Sequence, residues 1–232
     1  MCGIVGVVGN SNAVDILIQG LEKLEYRGYD SAGIYVTDAP DKGCLVKSVG
    51  RIADLRAKIS SDVKGSTGIG HTRWATHGQA TEDNAHPHTS ETGRFVLVHN
   101  GVIENYLQIK EEYLQGHKFK GQTDTEIAVH LIGKFVDEDG LSVLEALKKS
   151  LHIIQGSYAF ALVDSQAPDT IYVAKNKSPL LIGVGEGYNM VCSDAMAMIR
   201  ETSQFMEIHD KELVVLTKDA STVTDYEGNA ID

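Results

Sequence analysis

The order of apolar segments along the chain constrains its fold more than any other feature. Short apolar runs bounded by glycine and other turn residues occupy both ends of the sequence, and they predict β-strands. The predicted strands are residues 3–8, 32–37, 44–49, 67–72, 95–98, 158–163, 171–174, 180–184, 190–192 and 213–216. None of these runs is long enough to cross a bilayer.

Apolar residues at helical spacing occupy mainly the middle of the chain. They predict helices at residues 14–24, 52–59, 104–114, 124–135 and 142–153. The fourth helix follows Thr123-x-x-Glu126, a capping-box pattern. Strands at both ends and helices in the middle predict an α+β domain with stacked sheets and outer helices. A chain of 232 residues is long for one domain but can fold as one.

The net charge limits the kinds of partner that the chain can bind, and the cysteine content indicates its cellular compartment. The 21 Lys and Arg residues are outnumbered by 32 Asp and Glu residues, which gives a net charge of −11. Such a chain repels phosphate backbones and anionic lipids, so we expect no nucleic-acid or membrane partner. The three cysteines cannot all pair within the chain, and none lies in a C-x-x-C motif. A reduced, cytoplasmic protein is therefore expected.

Cys2 is the first candidate catalytic residue. A lone cysteine is ordinarily a small buried residue, but removal of Met1 would put an α-amine and a thiol on the same residue. The α-amine has a reference pKa of about 7.7–8.0 and the thiol one of about 8.5, so the amine can take the thiol proton near neutral pH. A chain that kept Met1 would lack this base, and we expect it to be inactive.

Asn100-Gly101 allows two interpretations. Asn-Gly is the strongest short signal for a hairpin turn, which is the ordinary reading. Alternatively, the amide of Asn100 and the backbone N–H of Gly101 form an oxyanion hole.

The segment from His71 to Gly78 combines histidines with a single arginine and the only tryptophan. Five of the nine histidines, His71, His77, His86, His88 and His99, fall between residues 71 and 99 and make a metal site one interpretation. Their spacing argues against it, because it lacks the H-E-x-x-H geometry and no cysteine or carboxylate cluster completes a four-ligand set. Arg73 suits bidentate capture of a carboxylate, although a surface position is the alternative. Trp74 is either part of the core or a lid.

Asp124 is explained completely by a helix N-terminus. It can equally receive an ammonium group. Arg73 for a carboxylate and Asp124 for an ammonium together describe a pocket for an α-amino acid, with Cys2 attacking the far end of that ligand.

Five motifs occur together along the chain: Cys2-Gly-Ile-Val-Gly6, Tyr26-Arg-Gly-Tyr-Asp-Ser-Ala-Gly33, His71-Thr-Arg-Trp-Ala-Thr-His-Gly78, Val98-His-Asn-Gly101 and Thr123-Asp-Thr-Glu126. Together they closely resemble the N-terminal glutaminase domain of glutamine–fructose-6-phosphate aminotransferases (isomerising), also called glucosamine-6-phosphate synthases. The resemblance implies a class II glutamine amidotransferase with the four-layer αββα fold of N-terminal-nucleophile (Ntn) hydrolases, and a single glutaminase domain over residues 2–232.

The resemblance also implies roles for individual residues. Cys2 is the nucleophile, with Asn100 and Gly101 as the oxyanion hole. The substrate-binding residues are Arg73, Trp74, Thr76, His77, Asp124, His86 and Arg27. Among these, Arg73 grips the glutamine carboxylate, Asp124 its ammonium, Thr76 and His77 help to position it, and Trp74 resembles a gate over an ammonia passage. Arg27 and His86 look like supporting or loop-closing residues. No metal or other cofactor is implied.

The implied reaction converts L-glutamine to glutamate and ammonia through a Cys2 thioester. In the full-length enzyme, which is expected to be a homodimer, a C-terminal sugar isomerase domain uses the ammonia to make glucosamine 6-phosphate from fructose 6-phosphate. We expect that domain to be absent from this chain.

Three alternatives stay open. One is the glutaminase part of another amidotransferase, such as amidophosphoribosyltransferase or asparagine synthetase. Tyr29 in the motif at residues 26–33 and Trp74 in the motif at residues 71–78 instead favour the glucosamine-6-phosphate synthases. Another is a histidine-rich metal-binding module without catalysis. The third is a sensor that binds glutamine without hydrolysing it.

Overall fold

A computed structural model describes residues 2–75 and 78–232 of the chain. Within these residues the chain forms two antiparallel sheets and five α-helices. No helix among them is long and apolar enough to span a membrane.

The first sheet holds seven strands and contains the start of the chain. In chain order they are β1 (Gly3–Val8), β2 (Ser31–Thr37), β3 (Cys44–Val49), β4 (Thr67–Arg73), β9 (Leu181–Val184), β10 (Asn189–Cys192) and β11 (Phe205–Glu207). Their spatial order is β11-β9-β10-β1-β4-β2-β3. The strand β1 therefore lies in the interior of the sheet, between β10 and β4, and its register places Gly3 opposite Thr72.

The second sheet holds six strands, with a long central hairpin. Its members are β5 (His88–Thr89), β6 (Phe95–Ile103), β7 (Gly156–Asp164), β8 (Ile171–Asn176), β12 (Glu212–Leu216) and β13 (Ser221–Asp225). Their spatial order is β13-β12-β8-β7-β6-β5. The pairing of β6 with β7 runs from Phe95 opposite Asp164 to Ile103 opposite Gly156.

The helices cover the outer faces of the two sheets. They are α1 (Ala13–Leu24), α2 (Ile52–Lys58), α3 (Tyr106–Tyr113), α4 (Asp124–Asp137) and α5 (Val143–Ile153). Side-chain caps fix two of their N-termini, since Thr123 accepts a hydrogen bond from the Glu126 N–H and Ser142 accepts one from the Glu145 N–H. These caps satisfy backbone donors that the first turn of a helix leaves without partners.

Three apolar clusters hold four layers together. The first lies between α1, α2 and the first sheet and includes Val5, Val7, Leu17, Leu21 and Leu55. The second lies between the two sheets and includes Ile4, Ile69, Val98, Val173 and Val214. The third lies between the second sheet and α3, α4 and α5 and includes Phe95, Ile109, Ile132, Leu147 and Phe160. Burying each large apolar side chain contributes about 1.5–3 kcal/mol before the entropy of folding is subtracted.

Every predicted strand and helix matches an observed element, with ends that shift by a few residues. The order of layers agrees with the predicted αββα architecture. One local interpretation is wrong, because Asn100-Gly101 is not a hairpin turn but continues β6 opposite Ala159 and Tyr158. Three short strands, β5, β11 and β13, have no counterpart among the sequence predictions.

Candidate active site

Cys2 lies directly before β1, beside the end of β4. Gly3 pairs with Thr72, so Cys2 lies beside the residues that follow it on the neighbouring strand. The Trp74 backbone N–H donates a hydrogen bond to the Cys2 Sγ at 3.2 Å. The Sγ also lies 3.5 Å from the Trp74 carbonyl oxygen. Burial raises the pKa of the Cys2 thiol above its ordinary value. The thiol is therefore protonated at neutral pH and needs a base before it can act as a nucleophile.

Asn100 lies on β6 within hydrogen-bond reach of Cys2. Its Nδ2 donates to the Cys2 carbonyl oxygen at 3.2 Å. Its Oδ1 lies 3.1 Å from the His71 Nε2, which is also 3.0 Å from the His99 carbonyl oxygen. Since both neighbours are acceptors, the His71 Nε2 carries the proton and donates it. Asn100 is thereby held with its amide nitrogen towards Cys2.

His71 is neutral as well as buried. Burial lowers its pKa to about 3, so the ring carries one proton at neutral pH. The ring of His86 stacks on it with centroids 3.9 Å apart. His71 is thus a rigid, uncharged donor that fixes the orientation of the Asn100 amide.

Gly101 occupies a backbone conformation that other residues rarely adopt. Its φ is +118°, and a Cβ at this position would lie 2.3 Å from the Ser157 carbonyl oxygen. Glycine is therefore required for β6 to continue beside β7 at this point.

Arg73 ends β4 with its side chain almost completely buried. Its Nη1 donates to the Gln79 carbonyl oxygen at 3.0 Å and its Nη2 to the Gly78 carbonyl oxygen at 3.4 Å. The Asp30 carboxylate lies 4.0 Å from the Nη1. The guanidinium group therefore ties the segment that follows β4 to the sheet while it lines a cavity with Cys2.

Asp124 is the first residue of α4 and is also buried. Its Oδ2 accepts a hydrogen bond from the Ile103 N–H at 2.9 Å. The two flanking residues are held by histidines, because Thr123 Oγ1 lies 2.8 Å from His88 Nε2 and Thr125 Oγ1 lies 2.8 Å from His99 Nδ1. Two histidines of the region considered for a metal site thus hydrogen-bond to the first turn of α4.

A cavity of about 270 Å³ brings most of the predicted residues together. It is lined by the predicted catalytic residues Cys2, Asn100 and Gly101 and by the predicted binding residues Arg73, Asp124, Trp74, Arg27 and His86. Its volume is slightly below the usual range of about 300–1,000 Å³ for pockets that take drug-sized ligands, which suits a small metabolite. Residues that carry a thiol, a side-chain amide, a cation and an anion therefore line one small cavity.

Trp74, Arg27 and His86 line the cavity through different contacts. Trp74 is 50% exposed and packs edge-on against Tyr29, so it belongs to the rim rather than the core. Arg27 donates through Nη1 to the Ser193 carbonyl oxygen at 3.4 Å. His86 is buried, and its Nδ1 accepts a hydrogen bond from the His99 N–H at 3.3 Å. The predicted binding residues Thr76 and His77 lie outside the described residues.

Sequence reasoning assigned no role to several residues that build the site. His71 orients Asn100, and its only local signal was its place in a histidine-rich motif. Asp30 accepts a hydrogen bond from the Ala75 N–H and so holds the backbone after β4 beside Cys2. Ser178 lines the cavity two residues after β8, and no sequence pattern indicated it.

Comparison with known families identifies the chain. The sequence profile of the glutamine amidotransferase domain matches residues 71–201, more than half of the chain. The chain belongs to this family. The motif residues Arg73, Asn100, Gly101 and Asp124 all lie within the matched range.

Relatives of this amidotransferase domain are highly similar over its whole length. A glutamine–fructose-6-phosphate aminotransferase (isomerising) of Streptococcus mutans is 82% identical over 232 residues, and one of Streptococcus pyogenes serotype M1 is 84% identical over 231 residues. In both cases the match covers 100% of this chain and 38% of the relative. The chain thus spans little more than a third of the length of these relatives.

Solved structures show the same fold. The glutamine phosphoribosylpyrophosphate amidotransferase of B. subtilis, complexed with ADP and GMP, superposes with a TM-score of 0.84 at 29% identity, covering 99% of this chain and 50% of that one. A structure of the allosteric regulatory enzyme of purine biosynthesis gives a TM-score of 0.86 at 29% identity, with the same coverage. The predicted α+β fold of class II, Ntn-type amidotransferases is confirmed.

Proposed function

We propose that the amidotransferase domain, residues 2–232, hydrolyses the side-chain amide of L-glutamine to glutamate and ammonia through a γ-glutamyl thioester on Cys2. The observation that carries this proposal is the joint arrangement around one small cavity. The Cys2 thiol, the Asn100 amide, Arg73 and Asp124 all line it.

Activation of Cys2 requires a base, since burial raises the pKa of its thiol. The base is the α-amine of Cys2 itself once Met1 has been removed. Its reference pKa of about 7.7–8.0 allows it to accept the thiol proton near neutral pH, directly or through a water molecule. A histidine base is not needed for this step.

The acyl transfer then follows in two stages. The thiolate attacks the amide carbon of glutamine, and the negative charge that develops on the oxygen is stabilised by the Asn100 Nδ2 and the Gly101 N–H. The leaving nitrogen takes a proton from the ammonium of Cys2 and departs as ammonia. A water molecule next attacks the thioester, which releases glutamate and restores the thiol.

Recognition of glutamine rests on its α-amino acid end. Arg73 binds the α-carboxylate and Asp124 the α-ammonium, because each is a buried charge that gains from a partner of opposite sign. Trp74 closes the rim of the cavity, and Thr76 and His77 complete the binding segment. Arg27 and His86 support the cavity wall.

We further propose that the ammonia serves a larger enzyme, in line with the names of the streptococcal relatives. In that enzyme a C-terminal sugar isomerase domain would use it to convert fructose 6-phosphate to glucosamine 6-phosphate, and the full-length protein would be a cytoplasmic homodimer. All three cysteines of this chain are free thiols, which agrees with a reducing compartment.

The proposal is tested by measuring glutamate release from L-glutamine by protein whose N-terminus is established by intact mass. We expect release that persists with chelator present and is abolished in Cys2→Ala. The matched control is Cys44→Ala, which removes a thiol that does not line the cavity and should leave release unchanged. Glutamine binding without any glutamate formation by Met1-free protein would favour a sensor, and release that collapses with chelator would favour metal catalysis.

A further inference from the structure

Three side chains from separate segments meet away from the active-site cavity. Glu91 lies in the turn between β5 and β6, His117 in the segment between α3 and α4, and His130 on α4. The His117 and His130 Nδ1 atoms are 2.9 Å apart, and the Glu91 Oε2 lies 3.8 Å from the first and 3.5 Å from the second. None of the three lines the cavity that contains Cys2.

The distances between these atoms suit a metal ion. They form a triangle with sides of 2.9, 3.5 and 3.8 Å, and a point equidistant from all three lies about 2.0 Å from each atom. Zinc bonds to imidazole nitrogen and carboxylate oxygen are about 2.0–2.2 Å long. One ion near this point, displaced from the plane of the three atoms so that a fourth ligand can bind, would contact all three. It would replace the hydrogen bond that joins the two Nδ1 atoms.

A further carboxylate selects between the two tautomers of His117. Its Nε2 lies 3.2 Å from the Glu138 Oε2, which can only accept, so the contact favours the tautomer that carries its N–H at Nε2. The Nδ1 then presents a lone pair towards His130 and Glu91. Carboxylates that accept from the outer nitrogen of a metal-binding histidine are a common feature of zinc sites.

Backbone N–H groups hold Glu91 and also Glu126, the carboxylate that faces His130. Glu91 Oε2 accepts a hydrogen bond from the Lys118 N–H at 2.9 Å, which ties it to the residue after His117. Glu126, one turn before His130 on α4, lies 3.8 Å from the His130 Nε2 and is itself fixed by the Lys120 and Gly121 N–H groups at 2.9 Å each. The cluster is thus built into the chain segment that leads to α4.

The cluster is buried on the side of the two histidines and open to solvent on the side of Glu91. The side chain of His130 is 2% exposed and that of His117 7%, whereas that of Glu91 is 38% exposed. An ion can therefore enter past Glu91 and keep water as a fourth ligand. Imidazole with a carboxylate suits Zn²⁺ rather than Mg²⁺ or Ca²⁺, which prefer oxygen ligands alone.

We propose that Glu91, His117 and His130 bind one Zn²⁺ with water as the fourth ligand. The ion would join the β5–β6 turn, the α3–α4 segment and α4. The ion would take no direct part in the reaction at Cys2, because its ligands stand apart from the residues that line that cavity. Sequence analysis did not indicate it, since the three ligands are separated by 26 and 13 residues.

The test uses the full chain carrying Cys2→Ala, so that the thiol in the cavity cannot bind the metal. Metal-free protein is titrated with Zn²⁺ against a chromophoric chelator, and with Co²⁺ to record its visible spectrum. We expect one equivalent of zinc per chain and the intense visible bands of four-coordinate Co²⁺. No binding at micromolar zinc, or a cobalt spectrum of six-coordinate ions alone, would overturn the proposal.

Single substitutions test which side chains bind the zinc ion. Glu91→Gln keeps an acceptor for the Lys118 N–H but removes the charge, and we expect zinc affinity to fall by more than about 10-fold. Glu138→Gln, which touches only the outer nitrogen of His117, should weaken it by about 10- to 100-fold. His152→Gln, at an exposed histidine on α5, is the control and should change nothing. Unchanged affinity in folded Glu91→Gln and His117→Gln proteins would place the bound zinc elsewhere and refute the site.

Discussion

Replacing Asn100 by alanine separates the oxyanion role of this residue from its structural role. The substitution removes the Nδ2 donor, which lies 3.2 Å from the Cys2 carbonyl oxygen. It also removes one acceptor of the His71 Nε2. That buried donor keeps a partner, because the His99 carbonyl oxygen lies 3.0 Å away. The fold is therefore not left with an unsatisfied histidine.

The expected effects on stability and on catalysis differ in size. The lost hydrogen bond to Cys2 is an ordinary amide–carbonyl contact, so unfolding free energy should fall by about 0.5–1.5 kcal/mol. Loss of an oxyanion donor should raise the barrier by about 2.7–4 kcal/mol, which lowers kcat by about 10²–10³-fold. Since the α-amino acid end of glutamine binds elsewhere, KM should change little.

The assay measures kcat and KM for glutamate release together with unfolding in urea. Asn176→Ala is the matched control, because Asn176 also donates through Nδ2 to a carbonyl oxygen, that of Gly156 at 2.9 Å, but does not line the cavity. This control should lose a similar amount of stability and keep its kcat. A kcat in folded Asn100→Ala within about 10-fold of the unaltered protein would refute the oxyanion assignment.

Three further predictions concern recognition, acid stability and backbone conformation. Asp124→Asn should raise the KM for glutamine by at least about 10-fold with a smaller change in kcat, because a buried ammonium loses its counter-charge; an unchanged KM would contradict the proposed binding mode. Unfolding free energy should fall as pH drops below about 6.5, because His71, with its pKa lowered to about 3, takes up a proton only when unfolded. This dependence on pH should lessen by up to about 1.4 kcal/mol per pH unit in His71→Gln, and an unchanged dependence in that variant would contradict the assignment. Gly101→Ala should cost at least about 2 kcal/mol in urea unfolding, since a positive φ and a close contact with a carbonyl oxygen act together; a loss below about 0.5 kcal/mol would be inconsistent with the described backbone.

The layered fold was predictable because its signals are local. The strand β1 is a continuous apolar and glycine run. At the start of α4 the structure contains the Thr123 half of the predicted capping box, while the Glu126 carboxylate accepts from the Lys120 and Gly121 N–H groups. The strands β11 and β13 were not predicted, because they are short and largely polar and form only by pairing with β9 and β12. Strands of this kind depend on partners that are distant in sequence.

The candidate site was predictable only from its motifs taken together. Local rules favoured a hairpin turn at Asn100-Gly101, but the register with β7 extends the strand through both residues. Local rules also explained Asp124 as a helix terminus, and it is indeed the first residue of α4. The supporting contact from His71 to Asn100 joins two strands of different sheets, so no sequence spacing could indicate it.

The central claim is that Cys2 carries the γ-glutamyl group during turnover. Met1-free protein is mixed with glutamine, quenched in acid within the first turnover, and analysed by intact mass and peptide mapping. The account predicts a mass increase of one γ-glutamyl group on the peptide that begins with Cys2, lost on treatment with hydroxylamine and absent from Cys2→Ala. Steady glutamate release by Cys2→Ala, or an adduct on a different residue, would contradict it.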